Sequence, residues 1–151
     1  MRLSLDANIL VYLVDVDAGQ RHQQAVDLLS RASGADCFLT LQSLGEFFHV
    51  VTRKGKLSQA DAVTAVENIR AALPVRAAKP DILSTALSAV LDHRLSFWDA
   101  MLWATVQQAG CDLLLTEDFQ DGRKLGRVTF VNPFAPANQA LLDRELPPPI
   151  A

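Results

Sequence analysis

The sequence predicts an α/β protein built on a central, mostly parallel sheet. Short apolar runs alternate along the chain with longer segments in which apolar residues recur every three or four positions. Strands that alternate with helices in this way indicate a parallel sheet covered by helices. The chain has 151 residues, no internal repeat and no linker rich in Gly or Ser, so we expect a single domain over 1–151.

The predicted strands are short, apolar and bounded by polar or turn-forming residues. The first begins at Leu3 and ends at Asp6, and the second is the run Cys37-Phe38-Leu39-Thr40-Leu41. The full set of predicted strands is 3–6, 37–41, 75–78, 113–116 and 128–131.

The predicted helices fill the intervals between these strands. In the second helix Ala25, Leu28, Leu29 and Ala32 form one apolar stripe, and Ser58-Gln59-Ala60-Asp61 opens another helix as a capping box. After the last strand the chain ends in Leu146-Pro147-Pro148-Pro149-Ile150, so we expect a flexible tail over 146–151. The predicted helices cover 8–14, 21–32, 44–54, 58–73, 80–93 and 96–110.

Four acidic residues lie in or beside hydrophobic segments, where an unpaired charge is costly: Asp6, Glu46, Asp99 and Asp118. Ligands of a parallel sheet bind outside the carboxyl ends of its strands, and we expect all four acids to meet there. Clustered carboxylates repel one another unless cations neutralise them or some are protonated. A cluster without Cys or His partners predicts a site for Mg²⁺ or Mn²⁺, whose natural ligand is a phosphate.

Each acid also has an ordinary structural explanation. The spacing Ser-x-x-acid of a capping box occurs at Glu46 and Asp99, and again at Asp61, which we interpret as a cap only. Asp6 equally suits a turn or an N-cap. Asp118 has acidic neighbours that compete for its role, namely Asp112, Glu117 and Asp121. The metal-site interpretation therefore depends on the set of acids rather than on any one of them.

Composition excludes several classes of protein. Half of the residues are hydrophobic and the net charge is −3, so the chain lacks the basic character of a passive nucleic-acid coat, although an acidic metal site is compatible with a nuclease. We find neither a signal peptide nor an apolar run long enough to span a membrane, and expect a cytoplasmic protein. Cys37 and Cys111 lack metal-ligand spacing and are expected to be reduced thiols.

The acids stand in four short motifs that occur in a characteristic order. These motifs are Leu5-Asp6-Ala7-Asn8-Ile9-Leu10, Ser43-Leu44-Gly45-Glu46, Ser96-Phe97-Trp98-Asp99-Ala100 and Leu115-Thr116-Glu117-Asp118-Phe119. With them the chain resembles the PIN-domain nucleases, and specifically the VapC-type toxins of bacterial toxin–antitoxin pairs, from Leu3 to about Phe134. The resemblance implies a three-layer α/β/α fold, an antitoxin partner and a homodimer.

The resemblance also implies an activity, the hydrolysis of RNA phosphodiester bonds with Mg²⁺ or Mn²⁺, leaving a 5′-phosphate and a 3′-hydroxyl. Asp6, Asp99 and Asp118 would bind the metal directly or through water, and Glu46 would bind it or orient the attacking water. Asn8 and Thr116 would position ligands or water, although capping and turn formation explain them equally well.

RNA requires positive charge outside the metal site. Two clusters offer it, Arg53-Lys54-x-Lys56 and Arg123-Lys124-x-x-Arg127, and each is equally an ordinary solvated surface. Because the second cluster follows Asp118 closely, it is placed to flank the site. For Trp98 and Trp103 we expect packing in a core or a dimer interface rather than stacking on bases.

Three other functions compete with the nuclease. A phosphatase of the haloacid-dehalogenase type needs a second Asp two residues after the first, where this chain has Asn8. A response-regulator receiver domain needs an acidic pair near the first strand, which is missing. A non-catalytic interaction module with the same fold has no need to keep all four acids.

Overall fold

A single six-stranded sheet organises the protein, whose computed structural model describes residues 1–149. The strands are β1 (Leu3–Leu5), β2 (Cys37–Thr40), β3 (Val75–Arg76), β4 (Leu113–Leu115), β5 (Lys124–Leu125) and β6 (Val128–Val131). Their order in the sheet is β3-β2-β1-β4-β6-β5, and every pair is parallel except β5 with β6. The predicted mostly parallel sheet is confirmed.

Helices cover both faces of the sheet. They are α1 (Ala7–Val11), α2 (Gln20–Ala32), α3 (Leu41–Arg53), α4 (Gln59–Ala72), α5 (Ile82–His93), α6 (Phe97–Gln108) and α7 (Gln139–Glu145). Side chains that alternate along β4 enter opposite cores: Leu113 and Leu115 pack with α1 to α4, whereas Leu114 packs with α5 and α6. The three-layer α/β/α arrangement is therefore confirmed.

The start of α3 differs from the prediction. The helix begins at Leu41, three residues before the predicted start, because the buried Thr40 is its N-cap and accepts a hydrogen bond from the Ser43 amide at 3.0 Å. The Ser43 hydroxyl is itself hydrogen-bonded to Thr40. The predicted capping box at Ser43 and Glu46 is thus wrong, since Glu46 lies in the second turn of α3.

Two elements have no counterpart in the predicted set. Strand β5 has only two residues and turns into β6 through Gly126, whose φ of 58° favours glycine. Helix α7 is joined to α2 by Arg31, which is 7% exposed and forms an ion pair with Asp143 at 3.0 Å. Within residues 1–149 no helix combines the length and apolar character that crossing a membrane requires.

The C-terminal segment is anchored where the structure describes it. Leu146 is buried, and the carbonyl of Pro147 accepts a hydrogen bond from Arg31 Nε at 2.8 Å. The expected flexible tail over 146–151 therefore begins with two residues that pack on α2. Residues 150–151 lie outside the described part of the chain.

Candidate active site

Asp6 lies at the carboxyl end of the central strand and begins helix α1. Leu5 pairs with Leu115 in the sheet, and the Asp6 amide donates to the Leu115 carbonyl at 3.0 Å, so the ends of β1 and β4 are adjacent. The Asp6 side chain is the N-cap of α1 and accepts from the Ala7 amide at 2.7 Å. The capping role expected as an alternative is therefore real, and it orients the carboxylate at the sheet edge.

Thr116 connects the residues of this edge. It is 1% exposed, and its hydroxyl donates to Asp6 Oδ2 at 2.8 Å. The Thr116 hydroxyl oxygen also accepts hydrogen bonds from the Asp118 amide at 3.1 Å and from the Asn8 side-chain amide at 3.4 Å. One buried hydroxyl thus fixes the Asp6 carboxylate and the backbone of Asp118 relative to each other.

The other acids surround Asp6 at different depths. Glu46 and Asp118 line the same cleft as Asp6, which has a volume of about 310 Å³. Asp99 lies just beyond that cleft on the first turn of α6, where its amide donates to the Ser96 hydroxyl at 3.3 Å. Asp118 interacts with both Asp6 and Asp99: in addition to burial, its charge raises the pKa of each.

Electrostatics single out Asp6 among the four. Burial raises its pKa to about 7, against the lowering effect of the hydrogen bonds from Thr116 and Ala7, and the charges of Asp118 and Glu46 raise it further. Burial also raises the pKa of Asp99, the Ser96 hydroxyl lowers it, and Asp118 raises it. A nearby cation would therefore stabilise the ionised form of either carboxylate.

The donor atoms at this edge fit a hard divalent cation. Asn8 Oδ1 is buried without a hydrogen-bond partner in the structure, next to an Asp6 carboxylate that is only 4% exposed. Oxygen donors of this kind suit Mg²⁺ or Mn²⁺, and a strained buried carboxylate is stabilised by their charge. Among residues 1–149, no group of three or more His, Cys, Asp or Glu side chains is arranged to hold a metal ion.

The two basic clusters lie in different places. Lys54 and Lys56 line the cleft that holds Asp6, and Lys56 pairs with Asp15 at 3.2 Å; Arg53 is exposed beside them. Arg127 pairs with Asp112 at 2.9 Å, before β4 rather than after it. The structure thus brings the lysines of the first cluster to the acids and holds Arg127 at the opposite edge of the sheet.

Lys124 of the second cluster lies with Arg127 away from the acids. Lys124 is opposite Thr129, which in turn pairs with Leu113 at the amino end of β4. Arg123 reaches the His93 carbonyl at 3.5 Å, at the end of α5. None of the three residues of the cluster lines the cleft that holds Asp6 and Asp118.

Sequence reasoning missed one wall of the cleft. Tyr12 and Asp15 line it, and Glu117 forms an ion pair with Arg21 at 3.4 Å. Burial and the neighbouring Glu117 raise the pKa of Tyr12. Glu117 therefore faces Tyr12 and Arg21, which leaves Asp118 as the acid next to Asp6. The signal in the sequence was the spacing of Asn8 and Tyr12, four residues apart on one side of α1.

Several solved structures have a similar fold, and two of them are described as a toxin and as a toxin–antitoxin complex. VapC20 of Mycobacterium tuberculosis, described as a toxin that cleaves the sarcin–ricin loop, is 21% identical with a TM-score of 0.62, covering 77% of this chain and 89% of that one. A toxin–antitoxin complex from Klebsiella pneumoniae is 20% identical with a TM-score of 0.62, covering 89% and 98%. VapBC2 from Rickettsia felis, bound to a promoter DNA fragment, is 13% identical with a TM-score of 0.63, covering 86% and 97%.

These likenesses establish the fold. No functionally curated protein matches the chain. A family model described as PIN domain matches residues 3–125, which include Asp6, Glu46, Asp99 and Asp118. With the sheet order and the acidic cleft described above, this match shows that the chain belongs to the PIN domain family.

Proposed function

We propose that the protein is a metal-dependent endoribonuclease and the toxin of a toxin–antitoxin pair. The observation that carries the proposal is the buried Asp6 carboxylate, fixed by Thr116 and flanked by Asp118 and Glu46 in an open cleft. Membership of the PIN domain family and the likeness in fold to a solved toxin and a solved toxin–antitoxin complex support it. The cofactor is Mg²⁺ or Mn²⁺, held by Asp6, Asp99 and Asp118 directly or through water.

The residues of the chain divide the work of phosphodiester hydrolysis. When bound, the cation supplies positive charge against the scissile phosphate and makes an attacking water more acidic. Thr116 and the α1 amide keep Asp6 in one orientation. Glu46, half-buried on α3, is placed to accept a proton from water, and Gln42 holds its carboxylate with a hydrogen bond of 2.9 Å. Lys54 and Lys56 attract the RNA backbone.

The proposal is tested by substitution of the acids. Asp6→Asn and Asp99→Asn should each reduce cleavage of a mixed RNA pool by about 100-fold or more, because they remove metal charge compensation. Asp61→Asn is the matched control, since Asp61 stands at the same position of a capped helix as Asp99 but is exposed and does not line the cleft. Wild-type activity should disappear in chelator and return with Mg²⁺ or Mn²⁺.

A second readout separates metal binding from catalysis. Mg²⁺ should raise the thermal stability of the wild-type protein, in which Asp6, Asp99 and Asp118 all offer carboxylates to the ion. It should have little effect on the thermal stability of Asp6→Asn, which lacks one of these carboxylates. Full activity in Asp6→Asn, or undiminished cleavage in chelator, would contradict the proposal.

We further propose that the toxin is a cytoplasmic homodimer. Three leucines spaced four residues apart on α5 are exposed, with exposed fractions of 46% at Leu83, 47% at Leu87 and 82% at Leu91. An apolar row of this kind on a helix is typical of a surface covered by another subunit. Light scattering should give twice the 16.5 kDa mass of the chain, and a monomer mass at micromolar concentration would contradict this.

A further inference from the structure

Trp98 presents a large aromatic ring to solvent. It is 61% exposed, whereas Trp103 on the same helix is 6% exposed and donates its indole N–H to the Leu125 carbonyl at 3.0 Å. For both residues we expected packing in a core or a dimer interface rather than stacking on bases, and core packing is thus confirmed for Trp103. Trp98 does not pack in the core of this chain, so its ring is available to a ligand or a partner.

The ring of Trp98 stands next to the acidic cleft. It lines a depression of about 380 Å³ together with Glu46 and Val50. Glu46 and Val50 also line the cleft that holds Asp6 and Asp118, so the two depressions meet along α3. The next residue in the chain is Asp99. A ligand that extends from the acids along this surface therefore reaches the indole ring.

Two contacts fix the ring relative to the acids. The Phe97 ring packs edge-to-face against it, with centroids 4.9 Å apart. The side-chain amide of Gln42 donates both to the Trp98 carbonyl and to Glu46 Oε1, each at 2.9 Å. The distance between Glu46 and the start of α6 is thereby held by one side chain, and an aromatic surface is pre-organised beside the carboxylates.

We propose that Trp98 forms a nucleobase subsite, where an unpaired base of the RNA substrate stacks while the adjoining phosphate lies at the acids. The inference rests on the proposed ribonuclease function and adds the form of the substrate, a single-stranded segment. Stacking on an exposed aromatic ring is the usual way in which proteins hold unpaired bases, whatever their sequence.

The lining of the depression suits a nucleobase better than the apolar core of a protein interface. The depression is walled by one aromatic ring, one valine and a carboxylate, and carboxylates are depleted in the cores of protein interfaces. Lys54 and Lys56 follow the end of α3 and line the cleft that holds Asp6, where they are placed to meet the backbone of an RNA strand that passes the acids. Base, scissile phosphate and flanking phosphate thus follow one path.

Binding of a fluorescein-labelled, mixed-sequence 12-nucleotide RNA to the full chain tests the subsite, with Asp6→Asn in every protein to suppress cleavage. Trp98→Ala should weaken binding about tenfold or more, Trp98→Phe should retain most of the affinity, and Val63→Ala, an exposed apolar residue on α4, should not change it. In a Trp103→Phe background, which leaves Trp98 as the one tryptophan of the chain, RNA should quench the indole fluorescence.

The outcomes separate this proposal from the proposed function. The subsite is overturned, and the ribonuclease function retained, if three results occur together. Trp98→Ala alone cleaves RNA at the wild-type rate, its RNA affinity in the Asp6→Asn background is unchanged, and RNA does not quench Trp98 in the Trp103→Phe background. A change in mass by light scattering, without a change in RNA affinity, would assign Trp98 to a protein interface and also overturn it. If the wild-type chain neither binds nor cleaves RNA, both proposals fail together.

Discussion

Asp6 holds a carboxyl group where water scarcely reaches it, and its ionisation opposes folding in the absence of a cation. Its usual pKa of 3.8 is raised to about 7, first by burial and then by the charges of Asp118 and Glu46. Between pH 3.8 and about pH 7, Asp6 keeps its proton in the folded protein but has lost it in the unfolded chain. The stability of the metal-free protein should therefore fall as pH rises through this interval, and the full penalty should be present above pH 7.

Removing this charge should stabilise the metal-free protein. In chelator, Asp6→Asn should be more stable than wild type by about 2–4 kcal/mol at pH 8, with a difference that shrinks as the pH falls towards 5. Urea unfolding of both proteins across this range measures it. Asp61→Asn, on the exposed first turn of α4, should show no such pH-dependent gain. A difference that stays constant with pH would mean that the burial of Asp6 is not its source.

At the scale of elements, local signals were predicted well and tertiary contacts were not. Ser58 and Ser96 begin α4 and α6 as predicted, because a capping serine needs only its own helix. The start of α3 depends on Thr40, which is a strand residue and a cap at the same time, and nothing in its local sequence separates it from Ser43. Helix α7 is held by Arg31 from more than 100 residues away, which no local pattern reveals.

In the candidate site, too, features with a local sequence signal were predicted and features that depend on tertiary contacts were not. Its acids were found because each lies just after a predicted strand or in the first two turns of a helix, and the topology of a parallel sheet brings those positions together. The contacts among Tyr12, Glu117 and Arg21 were missed because they join residues from three separate parts of the chain: the end of α1, α2 and the loop after β4. Arg127 was placed near Asp118 by sequence distance, but the β5–β6 hairpin carries it to the other edge.

The connection between α3 and α4 supplies the positive charge of the cleft, and this makes a prediction about salt. Replacing both Lys54 and Lys56 by alanine should weaken RNA binding and lower the slope of log affinity against log salt by about 1.4, since each phosphate contact on a single strand contributes about 0.7. The affinity for the same 12-nucleotide RNA, measured between about 50 mM and about 200 mM salt, gives the slope.

The β5–β6 hairpin provides the matched control for the lysines. Lys124→Ala with Arg127→Ala removes the same amount of charge from the edge of the sheet that lies away from the acids. This variant should leave the salt slope unchanged. Equal effects of the two double substitutions would mean that RNA responds to net charge alone, and the assignment of the cleft lysines would have to be dropped.

At the scale of the whole molecule, the proposed toxin offers an antitoxin two surfaces, an acidic cleft and an apolar groove. The groove has a volume of about 280 Å³ and is lined mainly by apolar side chains of α2, α4 and the segment after α1, namely Leu13, Val14, Val26, Leu29, Ala65 and Ile69. An antitoxin segment with an apolar stretch and an arginine would fill the groove and pair with the carboxylates. Arginine suits this role because its planar fork binds carboxylates through two hydrogen bonds.

Inhibition of this kind should depend on the acids and compete with metal. The double substitution Asp6→Asn/Asp99→Asn should weaken antitoxin binding by about 10- to 100-fold, because it leaves a buried arginine without its partners. High Mg²⁺ should weaken the wild-type complex in the same direction, and Leu29→Ala, in the groove, should weaken it without any dependence on Mg²⁺. Titration calorimetry with and without Mg²⁺ measures all three. Equal affinity for wild type and the double variant, with no effect of Mg²⁺, would mean that the antitoxin blocks RNA from a surface outside the acidic cleft.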